Sequence, residues 1–166
     1  STVAMHVIVA LMRMGRRTGV LDLDVRQRSL TRYIENRARW IAARGAHLPS
    51  PQILELQESA LRSMDEAEAE EDAAFRAALK RLAETCDFIV IDSPGGDSYL
   101  ARLAHSWADT LITPLNDSFV DFDLLGDIDE NCADIVRPSI YSEMVWESRK
   151  KKALAARTPI DWVVLR

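Results

Sequence analysis

The chain has 166 residues, 48% of them hydrophobic, with a formal charge of -5 and a pI of about 5.2. That length and apolar content suit a single layered domain with a real core, and the acidic balance excludes a general attraction to nucleic acid or anionic membrane. No apolar run is long enough for a transmembrane helix, and Arg13, Arg16 and Arg17 follow the first apolar segment where a secretory signal would need small residues, so a cytoplasmic protein without membrane association is expected.

The first segment reads as a helix with an apolar face at Val3, Val7, Ala10, Leu11 and Met14, ended by Gly15 or Gly19. Val20 to Leu23 is a short apolar strand that stops at a carboxylate, Asp24. Gln27 to Arg44 turns helical, with Leu30, Ile34, Ala38 and Ile41 on one face. Arg26, Arg28, Arg32, Arg37, Arg39 and Arg44 crowd it, and they read better as a solvated face paired with the acidic segment that follows than as a phosphate or partner site. Gly45 to Pro51 is a turn-rich break. The acidic run Glu66 to Asp72 reads as exposed, leading into a helix whose Phe75, Leu79 and Leu82 pack on a sheet.

The stretch Cys86 to Asp97, CDFIVIDSPGGD, organises the chain. Phe88 to Ile91 is an unbroken apolar run, the pattern of a parallel strand buried on both faces. Asp92 ends it, which puts a carboxylate at the carboxyl edge of the sheet, where open α/β folds place their ligands. Pro94, Gly95 and Gly96 then turn the chain with no Cβ to hold the backbone off a phosphate. A strand ending in Asp before such a turn suits a Walker B site, whose carboxylate holds magnesium beside a nucleotide. The plain alternative is a strand-to-helix loop with Asp97 or Ser98 as helix N-cap.

Leu100, Leu103, Ala104 and Trp107 mark a further helix, and Thr110 to Leu115 a strand that leaves through Asn116, Asp117 and Ser118 on the same edge as Asp24 and Asp92. Phe119 to Ile128 reads as a partly exposed helix or interface segment, its acids lacking EF-hand spacing. Ser139 to Ala156 is a helix with Arg149, Lys150, Lys151 and Lys152 close to Trp146, a combination that more often solvates a helix than binds nucleic acid. Ile160 to Leu165 is a last strand. Cys86 and Cys132 lack metal-site spacing, and His6, His47 and His105 are scattered, so no His/Cys metal centre is expected. The fold class is α/β, a mostly parallel sheet flanked by helices, in one domain over residues 1–166.

If Ser1, Asp24 and Asp92 share the carboxyl edge of one sheet, they converge. A Ser-Thr pair opening a helix is the usual sequel to the lysine of a phosphate loop, and a second carboxylate near magnesium can position the attacking water. VLDLDVRQR resembles the second acidic motif of the deviant Walker ATPases related to ParA and MinD, and DFIVIDSPGGDS resembles their Walker B strand. More narrowly, LDLDVRQRSLTRYIENR, IDSPGGDS, TPLNDSFVDFDLLG and PSIYSEMVWESRKKKAL together resemble the MipZ family of division-site-positioning ATPases, a likeness that runs the whole length of the chain.

The resemblance implies a P-loop NTPase fold and an ATP-driven monomer-to-dimer switch. The dimer of such proteins associates with DNA nonspecifically, is recruited through ParB and inhibits assembly of FtsZ, giving a nucleoid- or pole-associated gradient in the cytoplasm. ATP and Mg2+ are the implied cofactors. On matching positions Ser1 would bind the metal and Thr2 the phosphates, Asp24 would orient water with Asp22 in support, Asp92 would hold the metal through water, and Gly95 and Gly96 would lie against the γ-phosphate. It further implies that the phosphate loop, its lysines and its strand stand immediately before Ser1 and that further helices come after Arg166. On this reading the chain is a fragment, incomplete at both ends, that binds nucleotide poorly by itself. Two other readings remain: a plasmid or chromosome partition ATPase of the ParA type, and a non-catalytic interaction module of the same fold. A nitrogenase-iron-protein relative fits badly, because Cys86 enters a strand.

Overall fold

A computed structural model describes residues 1–24, 26–116, 125–128 and 135–166. They form two compact units, Ser1–Ala101 and Arg102–Arg166. Each is α/β, with parallel strands flanked by helices.

The first unit is built on a parallel sheet of β1 (Thr18–Asp22), β2 (Gln52–Glu55) and β3 (Phe88–Asp92), in the order β2-β1-β3. Helices α1 (Thr2–Arg13), α2 (Ser29–Arg44) and α3 (Met64–Ala83) cover it. The central strand is buried along its whole length. In register, Val20 lies between Ile53 and Val90, and Asp22 between Glu55 and Asp92. Residues two apart on a strand share a face, so Val20, Asp22, Val90 and Asp92 look the same way. On that side Ile8 and Met12 of α1 and Leu30 and Ile34 of α2 form a core with Val20, with Ile53 and Val90 packed against it. Helix α3 takes the other face, burying Phe75 and Leu82 completely. The chain passes from β1 through α2 to β2, then back through α3 to β3 on the far side of β1. Crossovers of one hand that run in opposite directions put their helices on opposite faces.

Gly19 lets α3 approach. A Cβ there would meet Cys86 Sγ and Leu82 Cδ2, both at 3.1 Å. Because Leu82 is fully buried, Gly19→Ala is expected to destabilise the fold by about 1 to 2 kcal/mol in chemical denaturation, the usual cost of overpacking a filled core.

Several elements differ from their sequence-based expectations. Of the two glycines expected to end α1, Gly15 (φ +75) does so, just past the Met14 cap, while Gly19 belongs to β1. The buried face of α1 is Ile8 and Met12, one residue out of phase with the expected stripe, leaving Met14 exposed. β1 ends at Asp22 rather than running on to Asp24. On α2 Leu30 and Ile34 are buried as expected, but Ala38 is exposed and Thr31 is buried. The acidic run Glu66 to Asp72 lies within α3, where Glu71 is buried and accepts the Ser59 N–H at 2.7 Å. Two of the arginines pair with acids, Arg26 with Glu58 and Arg28 with Glu55 and with Glu35 of α2 itself, rather than with that run. β2 is an additional strand, directly after the turn-rich break that ends at Pro51. As the end strand of its sheet, β3 is less covered than its apolar run suggests, with Phe88 47% exposed.

In the second unit, β4 (Thr110–Pro114) pairs in parallel with β7 (Asp161–Leu165), and β5 (Gly126–Ile128) pairs antiparallel with β6 (Ile135–Pro138). Helix α4 (Tyr99–Trp107) leads into it and α5 (Ile140–Ala156) joins β6 to β7. The expected Asp97 or Ser98 cap of α4 is Ser98, whose Oγ accepts the Ala101 N–H at 3.2 Å. Ser139 likewise caps α5, accepting from Ser142 N–H. Where a partly exposed helix or interface segment is expected over Phe119 to Ile128, the last three residues form β5; residues 117–124, and with them Asp117 and Ser118, lie outside the described residues, as does Cys132.

The basic cluster on α5 is divided. Lys152 Nζ caps the end of α4, donating to the carbonyls of Trp107 (3.3 Å) and Ala108 (2.6 Å) and pairing with Asp109 (2.6 Å), a favourable place for a cation. Lys150 pairs with Glu147 at 2.8 Å. Trp162 Nε1–H donates to Thr113 Oγ1 (3.0 Å), which also bonds the Tyr141 hydroxyl (2.7 Å).

His105 is buried, edge-on to the Tyr141 ring at 6.0 Å, with Nδ1 unpartnered. Burial pushes its pKa below the usual 6.5. As pH falls through that value the unfolded chain gains a proton that the folded chain resists, so stability present above it is lost below it. The thermal midpoint is expected to fall between about pH 7.5 and about pH 5.5, with a flatter profile in His105→Leu.

Candidate functional site

The carboxyl edge of the three-stranded sheet gathers most of the residues singled out in the sequence. Asp22 and Asp92 end adjacent strands in register, and the Leu23 N–H continues the ladder to the Asp92 carbonyl at 2.9 Å. Their backbones fix both carboxylates on the α1/α2 side of the sheet.

Asp92 is 7% exposed. Its Oδ1 lies 3.1 Å from the α-amino group of Ser1, the N-cap of α1, while its Oδ2 is buried with no hydrogen-bond partner. A buried carboxylate oxygen without a partner is costly and calls for a cation or donor. Ser1 makes no side-chain cap bond and the first turn of α1 carries no acidic residue. The positive end of the helix, with Thr2 as its first residue, therefore faces the Asp92 end of the sheet without a side-chain anion of its own.

Asp22 is fully engaged. Its Oδ1 accepts the Asp24 N–H (3.0 Å), and its Oδ2 accepts both the Thr31 N–H (3.2 Å) and the Thr31 hydroxyl (2.6 Å). Helix α2 begins after Arg28 with no side-chain cap of its own. The carboxylate of Asp22, nine residues from Thr31, stands in for the missing cap and places negative charge at the helix start.

Asp24 lies just past the strand and is partly exposed. Its Oδ1 accepts the Gln27 N–H at 3.3 Å and its carbonyl accepts the Arg28 N–H at 2.8 Å. Gly95 and Gly96, after β3, are exposed; neither has positive φ, and a Cβ on either would meet nothing within 4 Å. The fold itself does not require glycine there.

Thus Ser1 and Asp92 are in contact, Asp22 is in register with Asp92, and Asp24 is tied to Asp22. Thr31 and Glu55 belong to the same edge but were not read from the sequence, and Arg28, read there as part of a solvated arginine face, belongs to it too. Arg28 pairs with Glu55 at 2.8 Å, a contact visible only once β2 is recognised, and no local pattern links Asp22 to Thr31.

A parallel sheet with helices on both faces, carboxylates at its carboxyl edge and a helix N-terminus beside them defines an α/β fold of the P-loop NTPase kind. The family model described as ATPase MipZ matches residues 1–166, and the chain belongs to that family of division-site-positioning ATPases. Membership implies nucleotide binding. No curated protein matches the chain. Among the described residues, no helix is long and apolar enough to cross a membrane.

Proposed function

We propose that this chain supplies the magnesium and water-handling edge of an ATP-hydrolysing switch that dimerises with ATP, associates with DNA as a dimer, is recruited through a ParB-type partition protein and restrains FtsZ assembly. The observation that carries the site is the Asp92 carboxylate, buried at the sheet edge beside Ser1 with one oxygen unpartnered. When bound, Mg2+ would neutralise charge on the nucleotide phosphates, held by the Ser1 hydroxyl and, through water, by Asp92. Magnesium keeps several waters and takes few protein ligands, which suits this sparse donor set.

We further propose that a phosphate loop precedes Ser1 in the intact protein and that the present stretch is inactive by itself. In a longer chain the Ser1 nitrogen is an uncharged peptide N–H, so the positive partner of Asp92 becomes the metal. The α1 N-terminus, with Thr2, would receive phosphate oxygens. Gly95 and Gly96 leave open the side on which a Cβ would stand, which favours a γ-phosphate approaching their backbone. Asp24 would orient the attacking water. Asp22 supports it by holding its N–H and the start of α2.

The test is Mg2+-dependent ATP binding and hydrolysis by the full-length protein. Asp92→Ala is expected to weaken Mg2+-dependent ATP binding roughly tenfold or more through loss of a metal-holding carboxylate, with the isolated stretch inert. A full-length protein that neither binds nor hydrolyses ATP overturns this reading in favour of a partner-binding module.

A further inference from the structure

Arg28 sits where the chain leaves the sheet edge for α2, in a left-handed backbone conformation (φ 51, ψ 31) that arginine disfavours. Such a residue persists where its surroundings over-determine it. Its N–H donates to the Asp24 carbonyl at 2.8 Å. Its guanidinium reaches Glu55 Oε1 at 2.8 Å and Glu35 Oε1 at 3.4 Å. Glu55 is the last residue of β2, in register with Asp22, and the next residue, Leu56, donates its N–H to the Asp22 carbonyl at 3.1 Å. Arg28 therefore closes a ring that runs from the end of β1 through the turn to α2 and back by the end of β2.

Asp24 is held within that ring at three atoms: its N–H by Asp22, its carbonyl by Arg28 and its carboxylate by Gln27. We propose that Arg28, braced by Glu55, is a positioning residue that sets the carboxylate of Asp24 for hydrolysis; this rests on the hydrolase reading above. The pair is partly open to solvent, and exposed ion pairs add little to global stability. The effect of losing it therefore falls on geometry, where small displacements of a reacting group are costly.

The experiment compares Arg28→Gln, Arg28→Lys, Arg28→Gly, Glu55→Gln and the Arg28→Gln/Glu55→Gln double variant in the full-length protein, reading kcat, KM for ATP and the thermal midpoint. Arg28→Gln and Glu55→Gln are each expected to lower kcat on the order of tenfold with KM nearly unchanged, and the double variant to do no more than either, as coupled partners should. Arg28→Lys, which keeps the charge, restores most of the rate. Arg28→Gly separates geometry from stability: it removes the backbone strain, so the thermal midpoint holds or rises while kcat still falls. Wild-type hydrolysis with unchanged kcat in Arg28→Gln and Glu55→Gln overturns this inference alone, as does a loss that tracks the thermal midpoint across the series. Absence of hydrolysis in the wild-type protein overturns the hydrolase reading and this inference together.

Discussion

Asp24→Ala in the full-length protein is expected to lower ATP turnover on the order of a hundredfold or more, the range for removing a group that positions a proton-transferring water, while ATP binding changes little. The separation comes from where the residue sits. Asp24 is past the end of β1, partly exposed, and its carboxylate accepts the Gln27 N–H at 3.3 Å, a long hydrogen bond. Removing such a side chain disturbs the fold little, so lost turnover reports chemistry. ATP-driven dimerisation is then expected to persist longer in the variant, because hydrolysis is the step that ends the dimeric state in the proposed switch. Binding and single-turnover hydrolysis measured on one preparation would separate the two steps. Wild-type turnover in Asp24→Ala would remove Asp24 from the mechanism.

Asp22→Ala should act on the fold instead. Its 1% exposed carboxylate accepts three hydrogen bonds, two of them from Thr31. Truncation leaves the Thr31 N–H and hydroxyl and the Asp24 N–H without their acceptor and strips α2 of its cap, a loss of about 2 to 4 kcal/mol. Urea denaturation reads this directly. Asp22→Asn keeps an acceptor oxygen and should recover part of the loss, whereas Thr31→Val, which deletes only the hydroxyl, should cost less than Asp22→Ala. Equal stability of Asp22→Ala and wild type would show that the cap contributes nothing.

How much the sequence revealed depended on how local the signal was. The β3 strand and Asp92 were legible because an apolar run stops abruptly at a charged residue before Pro and Gly. The end of β1 was harder, because Leu21, Asp22, Leu23 and Asp24 alternate. Leu23 is buried and its N–H still bonds to Asp92, so the apolar pattern outlasts the strand by one residue. That shift puts Asp22 inside the strand, where its carboxylate holds the Asp24 N–H and also caps α2. β2 has two apolar residues between Gln52 and Glu55, too few to establish a period, and without it the Arg28–Glu55 pair could not be foreseen. The family likeness was specific because four separate blocks agreed in order, and the matching family model spans the same residues.

The outer edge of β3 has a consequence for handling the chain. Among the described residues no strand pairs with that side, so Phe88 to Ile91 present a line of backbone donors and acceptors along a stretch with no proline and no charge, and Phe88 is half in solvent. Such an edge is a template for a second chain. The guards are the acids at its two ends, Asp87 and Asp92. Arg17 bonds Asp87 and holds its carboxyl down to about 2, so that guard stays charged into strong acid.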